Sequence, residues 1–239
     1  MTPHLYAECR LILTILFRQP GFWVPTVLFP AMLYAFFGAQ SGQGSWAAQA
    51  MASFAIYAVL GVGFFQFGVS VAQDRESVFA TWQRSLPGHR VNHWIARIIA
   101  SLVFVLLAVC LVIVVARIMT DINLSAQAWA RLSFVCLVAT IPATVMGIAL
   151  GTVTTARAAV PVANLIFLPL AYLGGLWVPP MFMPAPIAAI SVWTPTRAMG
   201  ELGWAAIDGT AWEPRQMLLL LGWTLIASVV IFASRRARR

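Results

Sequence analysis

From Gln19 to Gln73 the chain runs 55 positions without an Asp, Glu, Lys or Arg. Further uncharged windows follow at Ile98–Ala116 (19 residues), Leu132–Ala156 (25), Ala158–Thr196 (39) and Gln216–Ser234 (19). A helix that crosses a bilayer needs about 20 mostly apolar residues, so each window holds at least one crossing. Charged residues make up 9% of the chain, against roughly a quarter in a soluble domain. Too little polar surface remains for a water-soluble globule. The sequence therefore predicts an all-α integral membrane protein in one unit, residues 1–239.

The charged residues exclude several chemistries. All fifteen basic residues are arginines and there is no lysine, which removes the phosphate-binding lysine of a P-loop and any lysine Schiff base. No HExxH or CxxC occurs, and Cys9, Cys110 and Cys136 fall in or beside apolar segments, as small buried hydrophobes do. No catalytic residue and no metal site is expected, and the chain binds no cofactor of its own. A basic pI near 10.7 suits nucleic acid. The arginines, however, gather at the ends of apolar segments, as membrane-flanking charge does, so no nucleic-acid partner is expected.

Six crossings fit the windows: 21–38, 50–72, 98–119, 132–153, 158–178 and 217–233. With the N-terminus inside, eleven arginines and three acidic residues lie on the cytoplasmic side, against four and four outside. Both termini therefore belong in the cytoplasm. A cleavable signal peptide is disfavoured because its n-region would be long and contain Glu8, and Pro25 and Pro30 interrupt the apolar stretch.

Three segments are not simple spans. Thr2-Pro3 opens a helix that Pro20 stops, with Arg10, Thr14 and Arg18 on one face and Leu5, Cys9, Ile12 and Leu16 on another. Residues 1–20 thus read as an interfacial helix with arginines toward lipid headgroups, or as the start of a long first span. In the loop 73–97, Asp74, Arg75 and Glu76 precede Val78, Phe79, Trp82 and Leu86 at helical spacing, with Arg84 turned away. Pro87-Gly88 ends this amphipathic helix, whose apolar face lies on lipid or docks into a partner. His89 and His93, four apart, lack a third ligand. Within 179–215, four prolines in eight residues, from Pro179 to Pro186, exclude one straight helix. Thr194-Pro195 starts another helix that ends near Gly209. The expectation is a hairpin of two short helices that dips into the outer leaflet. The last span and a basic tail fill 216–239.

Inside the spans, Ala52, Ala55, Val59, Gly63, Gln66, Ser70 and Gln73 form a line of mostly small residues on the second. Phe54, Tyr57 and Phe64 lie on its other side. Thr140, Thr144, Gly147, Gly151 and Thr154 mark the fourth, and Asn164 shares a face of the fifth with Leu168, Ala171 and Gly175. Small residues let helices approach closely, while Gln66 and Asn164 require polar partners at depth. The third span, rich in Leu, Val and Ile, is expected to face lipid.

This order of parts resembles the type-2 ABC exporter permeases. Two stretches carry most of the resemblance. One is Asp74-Arg75-Glu76 followed by Trp82-Gln83-Arg84-Ser85-Leu86-Pro87. The other runs from Asn164 through Phe167, Leu168, Pro169 and Gly174-Gly175 to Pro179-Pro180-Met181 and Met183-Pro184. A glycine pair stands where many relatives carry serine-glycine. The resemblance implies a subunit of the bacterial inner membrane that pairs with a second permease copy, as a homodimer or heterodimer. It also implies cytoplasmic ABC ATPase subunits, which bind ATP and magnesium and receive the helix from Asp74 to Leu86 as a coupling helix. A substrate path lined from spans two and five, by Phe54, Tyr57, Gly63, Phe64, Gln66, Asn164, Phe167 and Tyr172, is implied for an amphipathic drug, antibiotic or lipid-like molecule. Two alternatives remain. A haem or assembly-factor export permease would use His89 and His93; an intramembrane enzyme would need a nucleophile and base at depth, where no histidine lies.

Overall fold

The computed structural model describes residues 3–77 and 89–236, and among these every regular element is helical. Helix α1 (Pro3–Phe17) ends before Pro20, which opens α2 (Pro20–Leu33) at a position where its missing N–H leaves no bond unmade. Pro25 and Pro30 lie inside α2, which continues through a wide π turn at Tyr34–Gly38. Helix α3 (Ser45–Glu76) is continuous, but its turns widen to π geometry over Val62–Val69. Next come α4 (His89–Met119) and α5 (Ala126–Val153); Ser125 caps α5 by accepting the Ala128 N–H at 3.1 Å. Helices α6 (Ala159–Leu173), α7 (Ala185–Ser191), α8 (Pro195–Asp208) and α9 (Pro214–Arg236) complete the order. The expected cap at Thr194 is present: its hydroxyl accepts the Arg197 N–H at 3.2 Å.

Among the described residues, four helices are long and apolar enough to cross a membrane: Ser45–Glu76, Ile95–Met119, Ala126–Val153 and Pro214–Ser234. The remaining two expected spans are shorter apolar helices, Trp23–Gly38 and Ala159–Leu173. At 1.5 Å per residue each reaches only about 22–24 Å of the roughly 30 Å hydrocarbon core. The fifth expected span stops at Leu173 rather than Val178 because the chain turns at Gly174 and Gly175. Gly175 has φ +75°, and a Cβ there would meet Pro180 Cγ at 2.9 Å. Glycine is the residue this turn admits.

Helix α3 is the centre of the bundle. Its most apolar window is 89% buried, whereas that of α9 is 11% buried and lines the periphery. The expectation that the third span simply faces lipid is corrected. Ala96, Ala100, Phe104, Ala108, Val112 and Ala116 of α4 are buried, against α1, α2 and α3, while Leu106, Leu107, Val114 and Ile118 point outward. Four alanines, with Phe104 and Val112, recur every fourth position and form the seam that the Leu and Val content obscured. Of the cysteines, Cys9 and Cys136 are buried, but Cys110 is exposed on the outward side of α4.

The helix ends gather in two sets. At one end Tyr34 Oη and Thr120 Oγ1 lie 2.9 Å apart, the Asp121 N–H donates to Gln43 at 2.8 Å, and Gln49 Nε2 donates to Asp208 at 2.8 Å. At the other, residues 74–77 meet the start of α4, the end of α5 and the 154–158 turn. Loops that the arginine distribution assigned to one side thus share one end. Helix α8 packs among α3, α5 and α9. Trp204 donates to Ser53 of α3 at 2.8 Å, and Glu201 accepts from Arg197 at 2.7 Å and from Gln216 of α9 at 3.2 Å.

Candidate functional site

Two regions, both built on α3, hold the candidate residues. The first is the joint where α3 ends. Arg75 donates to the carbonyls of Gly151 and Thr152 at 2.6 and 2.5 Å. These are among the last carbonyls of α5, left without intrahelical partners and carrying the negative end of the helix dipole, so a guanidinium suits them. Asp74 pairs with Arg97 of α4 at 2.5 Å, and Glu76 accepts the Ala156 N–H at 3.0 Å in the turn that leads to α6. Three consecutive residues therefore fasten α3 to α4, α5 and the α5–α6 turn. The sequence marked Asp74, Arg75 and Glu76 as the opening of a coupling helix; their partners here are other parts of the same chain. The other coupling candidates, Val78, Phe79, Trp82, Arg84 and Leu86, lie outside the described residues.

The second region is an aromatic cluster between α2, α3 and α6. Tyr57 stands at its centre, with ring centroids 4.7 Å from Phe167, 5.9 Å from Trp177, 6.4 Å from Phe54 and 6.4 Å from Phe29. Phe167 also meets Phe64 at 5.9 Å and Phe65 at 5.6 Å. Phe54, Tyr57, Phe64 and Phe167 were candidates; Phe29, Phe65 and Trp177 were missed. Phe65 escaped because regular helical spacing turns it away from Phe64. The π-helical turns of 62–69 alter that spacing and let both rings reach Phe167. Trp177 was missed because it lies past the Gly174-Gly175 turn, in a stretch assigned to a straight span.

The remaining candidates separate. Gly63 faces α5 instead of the cluster: a Cβ there would meet Ala143 backbone atoms at 2.6 Å. Gln66 is buried, Asn164 and Tyr172 are half-buried, and neither side-chain amide has a hydrogen-bond partner among the described residues. Tyr57 Oη and Trp177 Nε1 are likewise buried without a partner. Buried tyrosine and tryptophan usually satisfy these atoms. The region is thus an aromatic wall with polar atoms unmatched among the described residues.

On the opposite flank of α3 there is no room at all. A Cβ on Gly147 would overlap the Gly63 carbonyl oxygen, and one on Gly151 would overlap that of Gly68 and lie 3.0 Å from Val71 Cβ. The GxxxG pair of α5 permits this backbone contact, as the small-residue stripes predict.

A bundle of apolar helices around a central α3, with the charged side chains of its long helices near their ends, defines a multi-pass membrane protein. The chain belongs to the ABC-2 type transporter family, whose model matches residues 9–203. It is a transport permease by family, and the family implies an ABC ATPase partner. Among curated proteins it is 23% identical over 214 residues to the "Putative transport permease YvfS" of Bacillus subtilis (strain 168), covering 87% of each chain. No solved structure matches it.

Proposed function

We propose that the chain is the membrane subunit of an ATP-driven exporter that moves an amphipathic drug, antibiotic or lipid-like molecule across the bacterial inner membrane. Two permease copies would form the path, with ATP and magnesium held by separate cytoplasmic ATPase subunits. On this reading α2 and α6 also cross, α7 and α8 form the re-entrant hairpin on the outer side, and both termini are cytoplasmic. The grouping of the loops into two ends and the arginine distribution support that arrangement. Phe54, Tyr57, Phe64 and Phe167 would offer the substrate an apolar wall, and Gln66, Asn164 and Tyr172 would stand beside it.

The joint at Asp74–Glu76 is the observation that carries the proposal. A segment leaving such a joint cannot move without moving α3, α4, α5 and the start of α6, so a push from an ATPase reaches the path as a rigid-body shift. The helix predicted from the spacing of Val78, Phe79, Trp82 and Leu86 supplies the docking surface, with Arg84 turned away from that apolar face. Trp82 is its aromatic anchor, since buried aromatic residues dominate interface energies. Trp82→Ala should weaken ATPase association by about 2 kcal/mol and lower ATP-dependent transport in inverted vesicles, with insertion unchanged. An undiminished yield of complex with normal transport would overturn the coupling role. Failure of the wild-type complex to move any amphipathic dye would overturn the exporter reading.

A further inference from the structure

Helix α1 carries an open groove of about 540 Å³ along its outward flank. Cys9 and Leu13 form its floor, and Tyr6 and Phe17 stand at its two ends. Phe17 is fixed from behind, its ring 5.1 Å from Phe104 of α4 and its carbonyl accepting the Trp23 indole N–H at 3.1 Å. Arg10 and Arg18 edge the groove two helical turns apart, about 12 Å along the axis. Neither guanidinium has a partner among the described residues. Thr14, between them, turns its hydroxyl back to the Arg10 carbonyl at 2.7 Å and adds no charge. Glu8, the one acidic residue of α1, is 7% exposed and falls on the opposite face. The groove is therefore apolar along its floor, doubly cationic at its edge and free of any carboxylate.

We propose that this groove is a binding site for an anionic glycerophospholipid of the surrounding leaflet. An acyl chain lies along Cys9 and Leu13 between the two aromatic rings, and the headgroup phosphate is taken by Arg10 and Arg18. A guanidinium matches a phosphate in a bidentate pair. The two arginines also give the site a sign: a zwitterionic lipid brings its own cation beside them and leaves their charge of +2 unreduced, whereas a singly anionic one lowers it to +1. At roughly fivefold in affinity for each basic residue at an anionic lipid surface, two arginines amount to roughly 25-fold preference. This proposal stands on the groove alone and does not depend on the nature of the transported substrate.

Native mass spectrometry of the full-length permease tests it, with phosphatidylglycerol and phosphatidylcholine of identical acyl chains titrated in parallel. The wild type should retain phosphatidylglycerol with the preference above, and the preference should collapse in 0.5 M ammonium acetate. Arg10→Gln/Arg18→Gln should bind both lipids alike, while Arg10→Lys/Arg18→Lys keeps most of the preference. Millimolar inorganic phosphate should not displace the lipid. Equal retention of both lipids by the wild type, an unchanged preference in the glutamine variant, or displacement by free phosphate each overturns the proposal. If the double variant fails to fold, Arg10→Gln and Arg18→Gln made singly should each lower the preference roughly fivefold, and an unchanged preference in both overturns the proposal.

Discussion

The two flanks of α3 are built on opposite principles. Toward α5, glycine meets backbone: Gly63 and Gly68 lie against Gly147 and Gly151 with no space for a methyl group, and Arg75 locks the far end of the seam onto α5 carbonyls. Toward α2 and α6, large rings meet at 4.7 to 6.4 Å and leave the Tyr57 hydroxyl and the Trp177 indole N–H unpartnered. Backbone contact has one geometry, whereas aromatic rings rotate and slide past one another at small cost. A single helix thereby carries one flank fixed by backbone contact and one whose rings can readjust.

The sharpest way to break this contrast is Gly147→Leu. No rotamer avoids the Gly63 carbonyl, so the seam must open, at a cost above about 4 kcal/mol. That is enough to unfold a marginally stable protein. Size-exclusion profiles should show aggregate in place of a single species; a monodisperse variant with wild-type thermal stability would mean the flank is not rigid. Arg75→Gln tests the end of the same seam. Loss of two charge-assisted bonds to helix-terminal carbonyls should cost about 2 kcal/mol in detergent unfolding titrations. It should also uncouple ATP turnover from transport, since α3 and α5 no longer move together. Tyr57→Phe probes the other flank and should have the smallest effect on stability. The hydroxyl has no partner among the described residues, so its removal should change stability by less than about 0.5 kcal/mol while transport of substrates with a hydrogen-bonding group falls. A destabilisation above 1–2 kcal/mol would show that the hydroxyl has a structural partner and that this flank is as closely matched as the first.

Much of this contrast was legible in the residues. The line through Gly63, Gln66 and Ser70 and the Gly147–Gly151 pair predicted close packing, and the aromatic side with Phe54, Tyr57 and Phe64 was separated from it by helical geometry alone. Where the reading failed, the helix departed from regular geometry or the chain changed direction. The π turns at 62–69 recruited Phe65, and the Gly174-Gly175 turn shortened the fifth apolar segment and brought Trp177 to Tyr57. The alanine seam of α4 was read as a lipid face because apolar residues satisfy both lipid and protein neighbours. Composition cannot tell one from the other.

By itself, the sequence determined the medium, the helical class and which loops gather at the same end. These follow from local quantities: the length of uncharged runs, the positions of arginines, and the turns that proline and glycine permit. Only the tertiary structure decided that Asp74, Arg75 and Glu76 bind other helices of their own chain, and that two polar atoms at Tyr57 and Trp177 stay unmatched. The residues that Asp74, Arg75, Glu76 and the Tyr57 ring meet lie some twenty to 120 positions away in sequence. Which of many chemically competent carbonyls or rings is met at such separation is set by how helices pack, and no local pattern carries that information.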